Sequence, residues 1–268
     1  MKEHCRSAMA SNQELLKIEN VSIGYRTSRG FHLAVRGATL AVRQGEFAAL
    51  VGESGCGKTT LARGVLGLIR SNGVMTGGRI SLHGETLLPD QISEKLGSHI
   101  GFVPQNPMTA LNPVRKVGKQ MEEIFRLKLS LSGKKARVRC LELLERVRLG
   151  DPGRVFASYP NQLSGGMAQR VVLAMALALG PSLFIADEPT SAVDAVLRKG
   201  LLEMIGDLRK EGMGVLFVTH DLRLVGRYAD SIAVMRDGTI VEGGPSHTIL
   251  HHPRHEYTRL LLNHRSPS

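Results

Sequence analysis

Residues 52–59 read Gly-Glu-Ser-Gly-Cys-Gly-Lys-Thr, which fits the phosphate-binding pattern G-x-x-x-x-G-K-[ST] with an extra glycine at Gly55. The pattern requires a strand before it and a helix after it. Residues 47–51, Phe-Ala-Ala-Leu-Val, have the length of a buried strand, and 59–68 holds no proline, which predicts a helix. Glycines let the loop amides close around phosphates at a helix N-terminus. The candidate nucleotide-binding residues are therefore Gly52, Glu53, Ser54, Gly55, Cys56, Gly57, Lys58, Thr59 and Thr60. Lys58 supplies positive charge, and the Thr59 hydroxyl is a ligand for Mg²⁺. Beside Lys58 and the helix N-terminus, the Cys56 thiol is expected to have a lowered pKa. The competing reading of the same residues is a glycine-rich turn that binds nothing.

Working outward, the 268 residues are 42% apolar, enough for a buried core in one large or two modest domains. The longest apolar runs, such as 171–179, fall well short of the roughly 20 residues that span a bilayer. Residues 1–12 are polar with no apolar stretch of the secretion-signal kind, so the chain is expected in the cytoplasm. Cys5, Cys56 and Cys140 have no disulfide, zinc or iron–sulfur spacing. A net charge of +11 suits an anionic partner, nucleic acid or the inner face of a membrane. With 4% aromatic residues and no Trp, stacking platforms for single strands are poorly supplied, and no nucleic-acid partner is expected. A basic solvated surface accounts for the charge equally well.

Residues 15–23 and 31–42 alternate as strands do, with a Gly-containing stretch at 24–30 between them, which predicts an antiparallel hairpin. Short strands broken by Gly84 follow at 77–88. From 106 to about 158, charged residues interleave with Leu and Val at helical spacing, the pattern of a helical insertion. Apolar strands at 183–186, 215–219 and 232–235 then alternate with helical stretches, which argues a mostly parallel sheet covered by helices.

Residues 183–188, Leu-Phe-Ile-Ala-Asp-Glu, form an apolar strand ending in two carboxylates. Beside a phosphate loop, Asp187 is the candidate Mg²⁺ ligand and Glu188 the group that polarises an attacking water. A helix cap leading into Pro189 is the alternative use of such a pair.

Residues 163–170, Leu-Ser-Gly-Gly-Met-Ala-Gln-Arg, resemble the signature motif of ATP-binding cassette (ABC) proteins, with Met167 where that motif has glutamine. Physically they form a second anion cradle, Ser164, Gly165 and Gly166 at a helix N-terminus. The resemblance implies an α/β fold, a P-loop NTPase with a RecA-like parallel-sheet core, an antiparallel β subdomain and an inserted α-helical subdomain. It implies roles for further residues. Tyr25 resembles the aromatic residue that stacks on adenine. Gln105 resembles the glutamine that touches Mg²⁺ or the attacking water. Residues 191–194 resemble the D-loop, and His220 the switch histidine on the γ-phosphate. The cassette is expected over 15–250, with the helical subdomain at about 106–165, after a polar extension at 1–14 and before a short tail at 251–268.

Within the family, residues 105–113, Gln-Asn-Pro-Met-Thr-Ala-Leu-Asn-Pro, are similar to a run in dipeptide, oligopeptide and nickel importer ATPases. Residues 253–261, Pro-Arg-His-Glu-Tyr-Thr-Arg-Leu-Leu, resemble their P-x-H-P-Y-T-x-x-L-L ending, with Glu256 in place of proline. The resemblance implies that peptide-importer subunits often continue into a cysteine-rich cluster-binding tail; no cysteine follows Cys140 here, so nickel is expected over peptide as the solute. His247, His251, His252 and His255 lie nearby, and a docking surface competes with metal binding as their use.

The resemblance implies ATP and Mg²⁺ as ligands and two ATP sites shared with a second ATPase subunit, identical or homologous. It also implies two membrane-spanning permease subunits received near residues 108–117, an extracytoplasmic solute-binding protein, and a peripheral place on the cytoplasmic face of the inner membrane. The rivals are a soluble accessory ATPase of an enzyme complex, such as a phosphonate-lyase system, and a repair or translation ABC protein. The latter would carry tandem cassettes or large insertions in one chain.

Overall fold

The computed structural model describes residues 14–189 and 195–263. The expected D-loop, all of the N-terminal extension but Glu14, and the last five residues of the tail lie outside the described residues. The described residues divide into two compact units, 14–96 with 206–263, and 97–189 with 195–205.

In the first unit, β1 (Glu14–Thr27) and β2 (Gly30–Arg43) pair antiparallel from Glu14 opposite Arg43 to Thr27 opposite Gly30. The hairpin is longer than its sequence pattern indicates, and its connection is only Ser28 and Arg29. Gly24 and Tyr25 therefore belong to β1 and not to a loop, because register shifts within the pair break the alternation that marks a strand. β4 (Gly73–Leu82) pairs with the other edge of β1, and β5 (Glu85–Leu87) with β4, giving the order β2-β1-β4-β5. His83 and Gly84, both at positive φ, make the two-residue turn between β4 and β5.

The parallel core of this unit centres on β3 (Phe47–Val51), whose five residues are all buried. It lies between β8 (Gly214–Thr219), also buried throughout, and β9 (Ser231–Arg236), parallel to both. Strands buried on both faces read as continuous apolar runs, which is why these three stand out in the sequence. The Phe47 and Phe217 rings meet at 5.5 Å between centroids. Each such large side chain contributes about 1.5–3 kcal/mol by leaving water. A further strand, β10 (Thr239–Pro245), pairs antiparallel with β9 through a turn at Asp237 and Gly238. The sequence pattern does not reveal it, because Gly243, Gly244 and Pro245 interrupt the apolar alternation. The Asp-Gly step at 237–238 is the signal that would have found it.

In the second unit, β6 (Ile100–Val103) and β7 (Leu183–Asp187) pair in parallel. The helical stretch comprises Val117–Leu129, Gly133–Arg146 and Pro152–Ala157, with single 3₁₀ turns at Pro107–Ala110 and Pro160–Gln162. The helix Gly165–Leu177 packs on β6, where Gly101 admits close approach: a Cβ there would stand 2.7 Å from the Ala176 carbonyl oxygen. The helix Ala195–Lys210 begins in this unit and ends in the first.

Candidate nucleotide-binding site

The loop at 52–57 joins β3 to the helix Lys58–Val65. That helix starts one residue earlier than expected and stops sooner, because Gly67 turns to φ +65°. Gly55 and Gly57 sit at φ +85° and +110°, conformations that a side chain would strain. Gly57 also lies against β2, since a Cβ there would meet the Ala34 carbonyl at 2.6 Å. Glu53, Ser54 and Gly55 are exposed, and Thr59 and Thr60 half-buried.

Lys58 is only 3% exposed. Its ammonium donates to the Gly52 and Glu53 carbonyls, both at 2.8 Å, and stands 4.0 Å from Cys56 Sγ. The loop thus holds a buried cation with backbone oxygens. A phosphate exchanges these for charge-assisted bonds, so the residues fit an anionic ligand. Burial pushes the Cys56 thiol above its ordinary range, and the opposing pull of the Lys58 ammonium does not offset it. This reverses the lowered pKa expected from the sequence: at 8% exposure, desolvation of the thiolate wins.

Tyr25 is half-buried on β1, opposite His32 on one side and Gly73 on the other. Its ring covers Gly73, where a Cβ would come within 2.5 Å of Tyr25 Cε1. His220 follows β8 and is exposed. Next to it Asp221 accepts the Leu224 amide at 2.9 Å, and its own amide donates to Thr219 Oγ1 at 3.1 Å, so the backbone around the histidine is fixed by a helix cap.

In the second unit Asp187 and Glu188 are buried at the end of β7. Glu188 has φ +46°, a left-handed conformation that costs a non-glycine residue about 1 kcal/mol or more. Its Oε2 accepts the Gln105 side-chain amide at 3.2 Å. The strands β6 and β7 therefore bring these two candidates together although 83 residues separate them. A residue missed by sequence reasoning supports the same turn. The Gln169 amide, buried in the helix Gly165–Leu177, donates to the Pro189 carbonyl immediately after Glu188. A lone amide on the apolar side of a helix was the available signal.

Ser164 N-caps that helix, its Oγ accepting the Met167 amide at 3.3 Å. Ser164 and Gly165 are exposed and Gly166 is buried. The segment after Gln105 is held by Gln120, whose side chain accepts the Asn112 amide at 2.8 Å and donates to the Asn112 and Arg115 carbonyls. Met108 and Val114 project from it into solvent, Val114 at 79% exposure. Among the described residues no cluster of three or more His, Cys, Asp or Glu is arranged to hold a metal ion, although the His247 and His251 rings lie 4.6 Å apart. No helix among them is long and apolar enough to cross a membrane.

A glycine-turned loop between a buried parallel strand and a helix, with a buried lysine at its end, defines a P-loop nucleotide-binding protein. The sequence profile described as ABC transporter matches residues 35–191, and the chain belongs to that family as one of its ATP-binding subunits. It is 40% identical over 255 residues to the oligopeptide transport ATP-binding protein OppD of Lactococcus lactis subsp. cremoris, covering 94% of this chain and 75% of that protein. It is 42% identical to the OppD protein of Bacillus subtilis, covering 92% and 71%. Among solved structures, a bacterial ABC transporter cassette in dimeric form superposes with a TM-score of 0.77 at 30% identity, covering 87% of this chain and 99% of that one. The same cassette bound to ADP and Pi gives 0.77 at 29%, with the same coverage. The fold is accordingly the ABC ATPase fold, with an antiparallel sheet, parallel strands and a helical stretch.

Proposed function

We propose that this chain hydrolyses ATP to drive import of peptides through an ABC transporter. The relatives named as oligopeptide transport proteins support that solute class. The lack of cysteine late in the sequence carries no chemistry of the solute, so nickel is left as an outcome of the test.

In this reading the amides of residues 52–60 and the Lys58 ammonium hold the triphosphate, and Tyr25 faces the adenine. Thr59, Gln105 and Asp187 are the residues that would hold Mg²⁺, which would supply neutralisation of phosphate charge. Glu188 orients and polarises the attacking water, and His220 steadies the γ-phosphate. Ser164, Gly165 and Gly166 serve the nucleotide of a second subunit. Two such subunits work under two permeases on the cytoplasmic face of the membrane, fed by an extracytoplasmic binding protein. Residues 108–117, with Met108 and Val114 exposed, are the surface offered to the permeases.

The observation that carries the reading is the Gln105 amide on the Glu188 carboxylate. A base held by an amide from the segment after β6 is placed for water and sensitive to movement of that amide. Glu188→Gln keeps the size of the side chain and loses its basicity, so it is expected to bind ATP and hydrolyse it at least about a hundredfold more slowly. Turnover near the wild-type rate would remove Glu188 from this role. Deleting the gene is expected to abolish uptake of a required peptide and leave nickel-dependent urease or hydrogenase activity intact. The reverse pattern would decide for nickel.

A further inference from the structure

Tyr257 is far from the phosphate loop in sequence and against it in space. It lies in the first turn of the helix Glu256–Asn263 and is 3% exposed. Its hydroxyl oxygen accepts the Glu53 amide at 3.0 Å, and the Arg236 guanidinium stands 4.9 Å from its ring centroid. The Glu53 carbonyl in turn accepts the Lys58 ammonium. The backbone at Glu53 is therefore fastened on one side to Tyr257 and on the other to the amine that the phosphates need. The tail is itself anchored. Glu242 on β10 accepts the Arg254 and His255 amides at 2.7 and 3.1 Å, and His255 Nδ1 accepts the Tyr257 amide at 3.1 Å. The turn after β9 adds a parallel support, since the Gly238 amide donates to the Cys56 carbonyl at 2.9 Å.

We propose that Tyr257 is a positioning residue for nucleotide binding: its hydroxyl fixes the Glu53 peptide and, through it, the direction of the loop amides and of Lys58. The bond is part-buried, and a donor deprived there of its acceptor loses a contact that water replaces only if the backbone moves. Without the hydroxyl, the Glu53 peptide turns to find water, and the loop must be ordered again each time nucleotide binds. That penalty falls on affinity and not on the chemical step. The C-terminal helix is in this way a lever on nucleotide affinity. The inference rests on residues 52–60 being the phosphate site.

Four proteins separate the possibilities: the wild-type chain, Tyr257→Phe, Ile249→Val and Lys58→Ala. Each is titrated with a fluorescent ATP analogue and Mg²⁺, melted without nucleotide, and assayed for KM and kcat. Tyr257→Phe is expected to raise Kd and KM about fivefold and to leave kcat within a factor of about two. Ile249→Val, which trims a buried contact in the helix Ser246–His251, should lower Tm without moving Kd. A Tyr257→Phe protein that melts earlier but binds as wild type overturns the proposal, as does an equal loss of affinity in Ile249→Val. If Lys58→Ala also binds as wild type, the phosphate-site reading fails first. Hydrogen exchange on the wild-type chain needs no variant: the Glu53 amide should be slow, and exchange at the free-chain rate overturns the proposal.

Discussion

Lys58 without nucleotide is bonded to its own loop, and this shapes what its removal does. Lys58→Ala loses charge-assisted contacts to phosphate of about 1.5–3 kcal/mol, or one to two decades of affinity, and it leaves the buried Gly52 carbonyl and the part-buried Glu53 carbonyl without its ammonium. Calorimetry that shows unchanged ATP binding would reject the phosphate-site reading. Cys56, two residues earlier, has its thiol pushed up by burial, so it is protonated at neutral pH. Maleimide labelling should be slow at pH 7, accelerate only as pH rises past the ordinary thiol range, and be blocked by Mg-ATP; equal rates with and without nucleotide would place Cys56 away from the ligand. The sequence made the identity of these residues legible, since a glycine pattern between an apolar run and a helix has few other uses. It could not reveal the sign of the Cys56 shift, because the competition between burial and a nearby cation depends on how deeply the folded chain buries the thiol, here to 8% exposure.

The strand β6 and the helix Gly165–Leu177 approach so closely that Gly101 has no room for a methyl group. Gly101→Ala should cost about 1–3 kcal/mol by overpacking, read as a lower urea midpoint with an unchanged slope. A variant as stable as wild type would mean that the helix shifts freely. On the antiparallel sheet, Arg79 hydrogen-bonds Glu19 at 2.6 Å, and with Lys17 holds its carboxyl down at about 2. A depressed carboxylate adds stability above its unfolded pKa of about 4.5 and loses it as pH falls toward 2. Arg79→Ala should return the Glu19 titration, followed by NMR, toward 4.5; a midpoint still near 2 would mean Lys17 alone suffices. Buried strands β3, β7, β8 and β9 were readable because each is an apolar run with a breaker at its end. Elements with mixed patterns were not: β1 hides Tyr25 behind register shifts, and β10 is written largely in Glu, Gly and Pro.

Across the whole chain, the candidates for phosphate binding and for water activation fall in different units, and the signature cradle at Ser164 faces solvent. If each nucleotide needs that cradle from a second subunit, specific ATPase activity should rise with protein concentration, or appear fully only with partner ATPase and permease. Constant specific activity in a verified monomer would sink the shared-site reading. The order of synthesis adds one more consequence. The bond between Glu53 and Tyr257 joins residues 204 positions apart, and β3 finds both of its neighbours only after residue 214. At ribosomal rates of about 5–20 residues per second, the phosphate loop waits about 10–40 s for its support. During that interval a growing chain carries the candidate phosphate loop without the Tyr257 contact proposed to fix it, and five apolar residues of β3 before either neighbouring strand is made. On the proposed role of Tyr257, nucleotide would bind finished chains best, while unfinished ones present an apolar strand before its neighbours are made.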